Sequence, residues 1–434
     1  MSKEKIYITG HRNPDLDSLC GAYAYAVLKN RIDPENEYIA VRCGHMTDSS
    51  KKIFGMIGAA APIYKRDIFP KVEDVYLKST TYVQIDDSLS VIASNYSDET
   101  PSVIPVFEGE KFSGLLSVED ILHWVMTDLS DNGKIDHAPI VKDIMREQEP
   151  GLWSLELFDD AKAKLLSSKK RGLAVYFDDK YVGYVTRRCF LKAPRHKLIL
   201  VDHNEPRQSI MGIETADVVE ILDHHRLDSV KTELPIYIDA EPLGSSCTIV
   251  YRQFVTHGIE PDALTAKVLL TGLISDTLIL RSPTTTMVDV DVANKLAKLA
   301  GVDLQEYGLS MFSCIEGLKN RDPEEAINSD FKMYDEKEVR FGVGQCEVTT
   351  LHDLPEYSEK YAQVLEEIRQ KNALNWAVLM ITDVIKEHSV LISTDFKSMK
   401  SLRYKPISKN TFDMPGVMSR KKQLLPEILS VLNM

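Results

Sequence analysis

Residues 67–193 carry one pattern twice, and this repeat decides how the remainder of the chain can be arranged. The first copy runs VEDVYLKSTTYVQIDDSLSVIASNYSDETPSVIPVFEGEKFSGLLSVEDILHWVM, and the second runs VKDIMREQEPGLWSLELFDDAKAKLLSSKKRGLAVYFDDKYVGYVTRRCFL. Each reads as a strand, a helix after an Asp pair (Asp86 and Asp87; Asp159 and Asp160), two strands around an acidic turn, and a closing helix. A repeat of roughly 60 residues is too long for a solenoid unit and suits two small domains packed together.

The flanks then belong to one interrupted domain. Residues 5–10 (KIYITG) read as a buried strand and Leu19–Asn30 as a helix. After the repeat, residues 198–205 (LILVDHNE) and 218–225 (VVEILDHH) are apolar runs ending in acidic, histidine-bearing turns, and a helix-like ALTAKVLLTGLIS leads to Asp276. Strands alternating with helices indicate a parallel α/β sheet whose first strand precedes the repeat and whose other strands follow it. A shift at Glu316–Glu325 marks a linker to a third region, which mixes strands (VRFGVGQCEV, AVLMIT, SVLIST) with a charged amphipathic helix, Tyr357–Lys371. The expected segments are 1–66, 67–193, 194–316 and 317–434, in keeping with ~150 residues per domain in a 434-residue chain.

Composition removes several classes of function. No window approaches the ~18 uninterrupted apolar residues of a membrane span, so no membrane partner is expected. The N-terminal MSKEKIYITG runs from lysines straight into a strand, and the six cysteines are scattered without a CxxC pair, which leads us to expect a cytoplasmic protein with reduced thiols. Acids outnumber bases 65 to 52, for a net charge of −13, and no basic stripe for nucleic acid is visible. An anionic substrate would need metal ions and a local basic cluster to reverse that field.

The chain supplies both. GHRNPDLDS holds His11, Asp15 and Asp17 directly after the first strand, and Asp202, the Asp223-His224-His225 triplet and Asp276 are expected at further strand ends. The carboxyl ends of parallel strands face one crevice. Carboxylates brought close together repel unless a cation lies between them, and their mixture with imidazoles suits Mn²⁺, Co²⁺ or Mg²⁺ better than calcium. Near the C-terminus, SRKKQ (residues 419–423) presents three consecutive cations. Such a run by itself is usually a solvated face, but beside a metal cleft in an acidic chain it complements a phosphate substrate.

GHRNPDLDS, VDHNE, DHH, SDTLILRSPTTT and SRKKQ, in this order, resemble the family II inorganic pyrophosphatases of the DHH phosphoesterase superfamily, and the inserted repeat resembles a pair of CBS domains. The resemblance implies an α/β fold: a parallel-sheet DHH domain interrupted by a tandem CBS pair and followed by a C-terminal α/β DHH-associated domain. It implies hydrolysis of pyrophosphate to two phosphates with two or more Mn²⁺ or Co²⁺ ions per subunit, Mg²⁺ being a further candidate. One metal would be held by His11, Asp15 and Asp202, and a second by Asp17, Asp202, His224 and Asp276, so that Asp202 bridges them. A water shared by the two would be the nucleophile. His225 would face the substrate, Lys332 (in SDFKMY), Arg420 and Lys421 would hold its phosphates, and Asp223 would orient His224 or its turn. Leu16 departs from the Thr usual in the family, and Cys20-Gly21 replaces a small pair.

In the insert, Ser117 and Asp120 of GLLSVED resemble the Ser/Thr-x-x-Asp element with which CBS domains hold a nucleotide ribose. The second copy, GYVTRRC, keeps Thr186 but has Cys189 in place of the acid, with Arg187 and Arg188 beside it as candidate phosphate contacts or solvated arginines. The resemblance implies regulation by adenine nucleotides, with AMP or ADP as inhibitors and ATP or diadenosine polyphosphates as activators, in a homodimer. Two other readings stay open: a DHH-type phosphodiesterase or exonuclease acting on cyclic dinucleotides or oligonucleotides, and a non-catalytic adenylate sensor. The first usually carries a GGGH element absent here, and the second would require a missing metal ligand, whereas all six positions are filled.

Overall fold

The computed structural model describes residues 3–94, 97, 101–135, 138–146, 150–227, 232, 234–314, 318–348, 350–384 and 386–433. The chain divides into two compact units, one made of residues 1–68 and 196–434 and the other of residues 69–195. The expected boundary at residues 316 and 317 lies outside the described residues.

The first unit contains a parallel sheet in the order Tyr237–Ala240, Asp217–Asp223, Lys197–Val201, Lys5–Thr9, Glu37–Arg42, Ile63–Tyr64. Lys197–Val201 resumes beside Lys5–Thr9, Ile199 opposite Ile8, as though the intervening residues were absent. Leu198, Ile199, Leu200 and Val201 are all buried, as a central parallel strand covered on both faces requires. Against this sheet packs the Leu16–Ile32 helix, begun by Asp15, whose Oδ1 accepts the Ser18 amide at 2.9 Å. That helix lies so close to the Ser246–Thr256 and Ala263–Asp276 helices that a Cβ on Gly272 would stand 2.4 Å from Cys247 Sγ and 3.1 Å from Cys20 Cβ. A Cβ on Gly21 would meet Val201 at 2.8 Å, so the unusual Cys20-Gly21 pair sits where two close approaches leave room for little else.

The same unit ends in a mixed sheet, in the order Phe331–Glu336, Val339–Val348, Trp376–Asp383, His388–Ser393, Thr411–Pro415, Lys405–Ser408. One of its cores is closed by Tyr361, Leu365 and Ile368 of the Leu354–Lys371 helix, and the other by Leu424, Ile428 and Val431 at the C-terminal Leu425–Leu432 helix. Residues 420–424 form a turn of π-helix in which the Leu424 amide reaches back to Ser419 O at 3.2 Å, a geometry that often marks functional positions.

In the second unit each repeat forms a three-stranded sheet: Val83–Gln84, Val103–Glu108 and Lys111–Ser117 in the first, Leu152–Trp153, Gly172–Phe177 and Lys180–Thr186 in the second. The two sheets meet through Val103, Leu115, Ala174 and Tyr184, beside Phe112 and Tyr181, whose rings stack at 3.8 Å. The copies differ at their ends. The first closes with the Val118–Asn132 helix, but the second ends in a single 3₁₀ turn, Arg187–Phe190, and not the expected helix. Pro194 follows four residues after Phe190, and its missing N–H and the restricted residue before it disfavour further helical turns. Among the described residues no helix is long and apolar enough to cross a membrane.

Candidate metal centre and the cations facing it

His11 follows the strand Lys5–Thr9, Asp202 follows Lys197–Val201, and His224 and His225 follow Asp217–Asp223, so three neighbouring strands deliver them to one edge of the parallel sheet. Asp276 corrects the expectation of a strand end: it is the last residue of the Ala263–Asp276 helix, whose C-terminus reaches the same edge. His11 Nε2 stands 3.2 Å from Asp15 Oδ2 and 3.4 Å from Asp202 Oδ2; His224 Nε2 stands 3.3 Å from Asp202 Oδ1 and 3.3 Å from Asp276 Oδ2. Asp202 adopts φ 64°, a left-handed conformation that Asp tolerates better than most side chains. Asp17 is gripped at the N-terminus of the Ser246–Thr256 helix, accepting from Ser245 Oγ at 2.5 Å and from the amides of Ser246 and Cys247 at 2.7 and 3.1 Å.

The charges in this cluster do not balance within it. Burial, then Asp202 and Asp276, push the Asp17 carboxyl up to about 8. Burial alone would lower His11, but Asp15 and Asp202 overcome it and lift the imidazole to about 10; His224, opposed by burial and Lys421, is still drawn up to about 9 by Asp202 and Asp276. Asp15 and Asp202 stay ionised, drawn down by the facing imidazoles against their own burial, and ionised carboxylates gathered with imidazoles in this way suit divalent cations. Asp202 Oδ2 is buried without a hydrogen-bond partner among the described residues. The potential donor atoms fall into three groups, each within 4.8 Å of one another: His11, Asp15 and Asp202; Asp17, His224 and Asp276; and Asp202, His224 and His225. Carboxylate and imidazole donors in these numbers fit Mn²⁺ or Co²⁺.

A cavity of about 300 Å³ opens beside the cluster, lined by Asp202, His224 and His225 on one side and by Lys332 and Lys421 on the other. Lys421 Nζ lies 3.4 Å from His224 Nε2, and Lys332 Nζ lies 3.2 Å from His225 Nε2. Arg420 is more committed than a free phosphate ligand would be: its Nη1 donates to the Asp330 carboxylate and backbone O, each at 2.7 Å, although its Nε is buried without a partner among the described residues. Asp223 holds the turn, the second of its two expected roles, and His225, not His224; its Oδ1 accepts from the His225 amide at 3.0 Å and from His225 Nδ1 at 2.8 Å, while His224 Nδ1 meets Leu243 O at 3.0 Å. Burial, Lys421 and Lys332 hold His225 well below the usual imidazole value, so it is neutral, with Nδ1–H donating and Nε2 free to accept. Two polar groups beside Asp202 had no sequence signal beyond their place in VDHNE. Asn204 Nδ2 donates to Asp223 Oδ2 at 2.6 Å, and His203, lowered to about 4 by burial first, lines the cavity.

In the second unit, Ser117 and Asp120 form the capping box of the Val118–Asn132 helix; Asp120 Oδ2 accepts from Ser117 N and Oγ at 2.8 and 2.7 Å, and its Oδ1 accepts from Arg146 Nε at 2.5 Å. Both line a cavity of about 100 Å³ together with Phe112, Lys170, Arg171 and Tyr176. Thr186 makes the matching box with Cys189, and Arg187 beside it is exposed.

A carboxylate–imidazole cluster on a parallel-sheet edge, faced by Lys332 from a strand of the mixed sheet and Lys421 from the π-helical turn, defines a metal-dependent hydrolase acting on an anion. The model of the DHH family N-terminal domain matches residues 5–274, and that of the DHHA2 domain matches residues 309–431. The cobalt-dependent inorganic pyrophosphatase of Clostridium perfringens is 28% identical over 99% of both chains. A probable manganese-dependent inorganic pyrophosphatase of Clostridium acetobutylicum is 36% identical over 54% of this chain and 76% of its own. The crystal structure of a candidate family II inorganic pyrophosphatase from Methanococcus jannaschii shares the fold over 99% of this chain and 100% of its own, with a TM-score of 0.61 and 22% identity. The chain belongs to the DHH family and, within it, to the manganese- or cobalt-dependent inorganic pyrophosphatases.

Proposed function

We propose that this metal-dependent inorganic pyrophosphatase holds one cation with His11, Asp15 and Asp202 and a second with Asp17, Asp202, His224 and Asp276, and receives pyrophosphate in the adjoining cavity. The observation that carries this reading is the opposition of the carboxylate–imidazole cluster to Lys332 and Lys421 across one 300 Å³ cavity. Bound there, the cations supply Lewis acidity towards phosphate oxygens and lower the pKa of a water. Lys332 and Lys421 neutralise the charge that builds on the transferring and leaving phosphates, and their burial makes each worth more than in water. Neutral His225 presents Nε2 towards Lys332 and fixes the direction of that ammonium group. Arg420 holds the Asp330 turn through Nη1, which leaves Nε for a phosphate.

Adenine nucleotides regulate hydrolysis through the 69–195 unit, with Ser117 and Asp120 at the ribose and Thr186 and Arg187 at a second position. The reading is supported by the cavity beside Asp120, where Lys170 offers charge for phosphate, Arg171 is shared with Glu119, and Phe112 and Tyr176 offer rings for a base. A ribose there competes with Arg146 for the Asp120 carboxylate.

The test of the catalytic reading is phosphate release from pyrophosphate and from a cyclic dinucleotide with Mn²⁺, Co²⁺ and Mg²⁺ in turn. Rapid turnover of pyrophosphate alone is expected; cleavage of the dinucleotide alone would overturn it.

A further inference from the structure

Gln345 is an uncharged polar side chain in a strand that is otherwise apolar and buried. It belongs to Val339–Val348, where Val343, Cys346 and Val348 lie within the core, and it is itself buried. An amide in such a place is costly unless each donor and acceptor finds a partner. Here all of them do. Gln345 Oε1 accepts from the Arg420 amide at 3.0 Å, and Nε2 donates to Glu347 Oε1 at 3.0 Å and to Met418 O at 3.3 Å. The backbone amide of Gln345 donates to Asp330 O at 3.1 Å, the same oxygen that accepts from Arg420 Nη1 at 2.7 Å. Both side-chain N–H groups are therefore spent, and Glu347 fixes which end of the amide faces Arg420.

The turn that carries Lys421 has its own internal clasp. Gln423 Oε1 accepts from the amides of Met418 and Ser419 at 2.8 and 2.9 Å, and Ser419 Oγ accepts from the Lys422 amide at 3.2 Å. These bonds set the shape of the turn but not its place against the sheet. Ser389 Oγ, donating to Val417 O at 2.5 Å, pins the entry, and Gln345 pins residues 418–420 directly before Lys421. A lysine side chain is long and flexible, so where its ammonium group can be held depends on where its backbone is held. An error of about 1 Å in such a group can cost about 100-fold in rate.

We propose that Gln345 is a positioning residue for pyrophosphate hydrolysis, holding the start of the π-helical turn so that Lys421 meets the phosphate. With no hydrogen left to offer a ligand, Gln345 acts through the turn and does not touch substrate. The proposal rests on the reading of Lys421 as a phosphate contact, and its test separates the two.

Initial rates of phosphate release from pyrophosphate are measured for the full chain with Mn²⁺, in wild type, Gln345→Met, Lys421→Ala and the double variant. Methionine keeps the length of the side chain and removes its hydrogen bonds. Gln345→Met should lose about tenfold or more in kcat/KM, while the rise in Tm that Mn²⁺ gives wild type is retained. In the Lys421→Ala background the same substitution should cost at least threefold less, because the group it positions is gone. Gln345→Asn, which keeps an amide but is one methylene short, should show a smaller loss of the same kind and stands in if Gln345→Met does not fold. Equal losses in both backgrounds, or a lowered Tm with unchanged kinetics, would overturn the proposal and leave Gln345 a structural residue. Unchanged kinetics in Lys421→Ala alone would overturn the underlying reading instead.

Discussion

Asp202 is the side chain on which most of the cluster converges: His11, His224 and His225 all lie within 3.7 Å of its oxygens, and Ser246 Oγ donates to it at 3.1 Å. Asp202→Asn keeps the shape but removes the charge shared by two donor groups. Its turnover should fall by more than about 100-fold at saturating Mn²⁺, and the rise in Tm that Mn²⁺ gives wild type should shrink. Near-normal turnover would refute a shared ligand. Asp120 poses a different problem, since the residue assigned to a ribose also caps a helix. Burial opposes its ionisation, but Ser117 and Arg146 overcome it and hold the carboxyl below its usual value. A carboxylate depressed in the folded state stabilises above its unfolded pKa and loses that contribution as pH falls through its folded one. Asp120→Ala should therefore cost about 1 kcal/mol at pH 7, with the gap closing below about pH 4; calorimetric melts across that range check the sign.

One element was invisible in the periodicity. Leu278, Ile279 and Leu280 follow Asp276 in three consecutive left-handed conformations, φ 52°, 55° and 64°. Each costs about 1–2 kcal/mol for a non-glycine residue, so surrounding packing must hold the turn. Leu278 and Ile279 are buried, the Ile279 amide donates to Ile274 O at 2.8 Å, and that of Ser282 to Thr277 O at 2.8 Å. Gly308, on the Leu304–Ser313 helix, presses on it: an added Cβ would stand 3.0 Å from three carbons of Ile279. In Gly308→Ala, the helical preference for alanine, about 1 kcal/mol, opposes an overpacking cost of about 1–3 kcal/mol. We expect Tm to move little while kcat and Mn²⁺ affinity fall, because the displaced turn directly follows Asp276; a variant with unchanged kinetics would show the turn to be inert.

At the scale of the molecule, the sheet of the first unit is complete without residues 69–195, with Ile8 beside Ile199 across the gap in sequence. Replacing 69–195 with a flexible linker should leave pyrophosphatase activity within about threefold and abolish any response to AMP. A loss of solubility with every linker tried would make the insert part of the catalytic fold, and an AMP effect that survives deletion would place the nucleotide in the catalytic cleft.

The sequence by itself determined the parallel sheet, its interruption and the edge that gathers the carboxylate and imidazole side chains. Central parallel strands are covered on both faces and read as unbroken apolar runs, LILV among them, and the residues that follow such strands share one edge by topology. It also announced the cations of SRKKQ through their contrast with an acidic chain. Tertiary structure alone decided that Asp276 reaches the edge from a helix, that Asp223 serves His225, that Arg420 is largely spent on Asp330, and that Leu278–Leu280 run left-handed. Most of these depend on contacts between residues far apart in the chain, such as Arg420 with Asp330 and Gly308 with Ile279, and even for neighbours such as Asp223 and His225 no periodicity encodes which side chain a buried charge will meet.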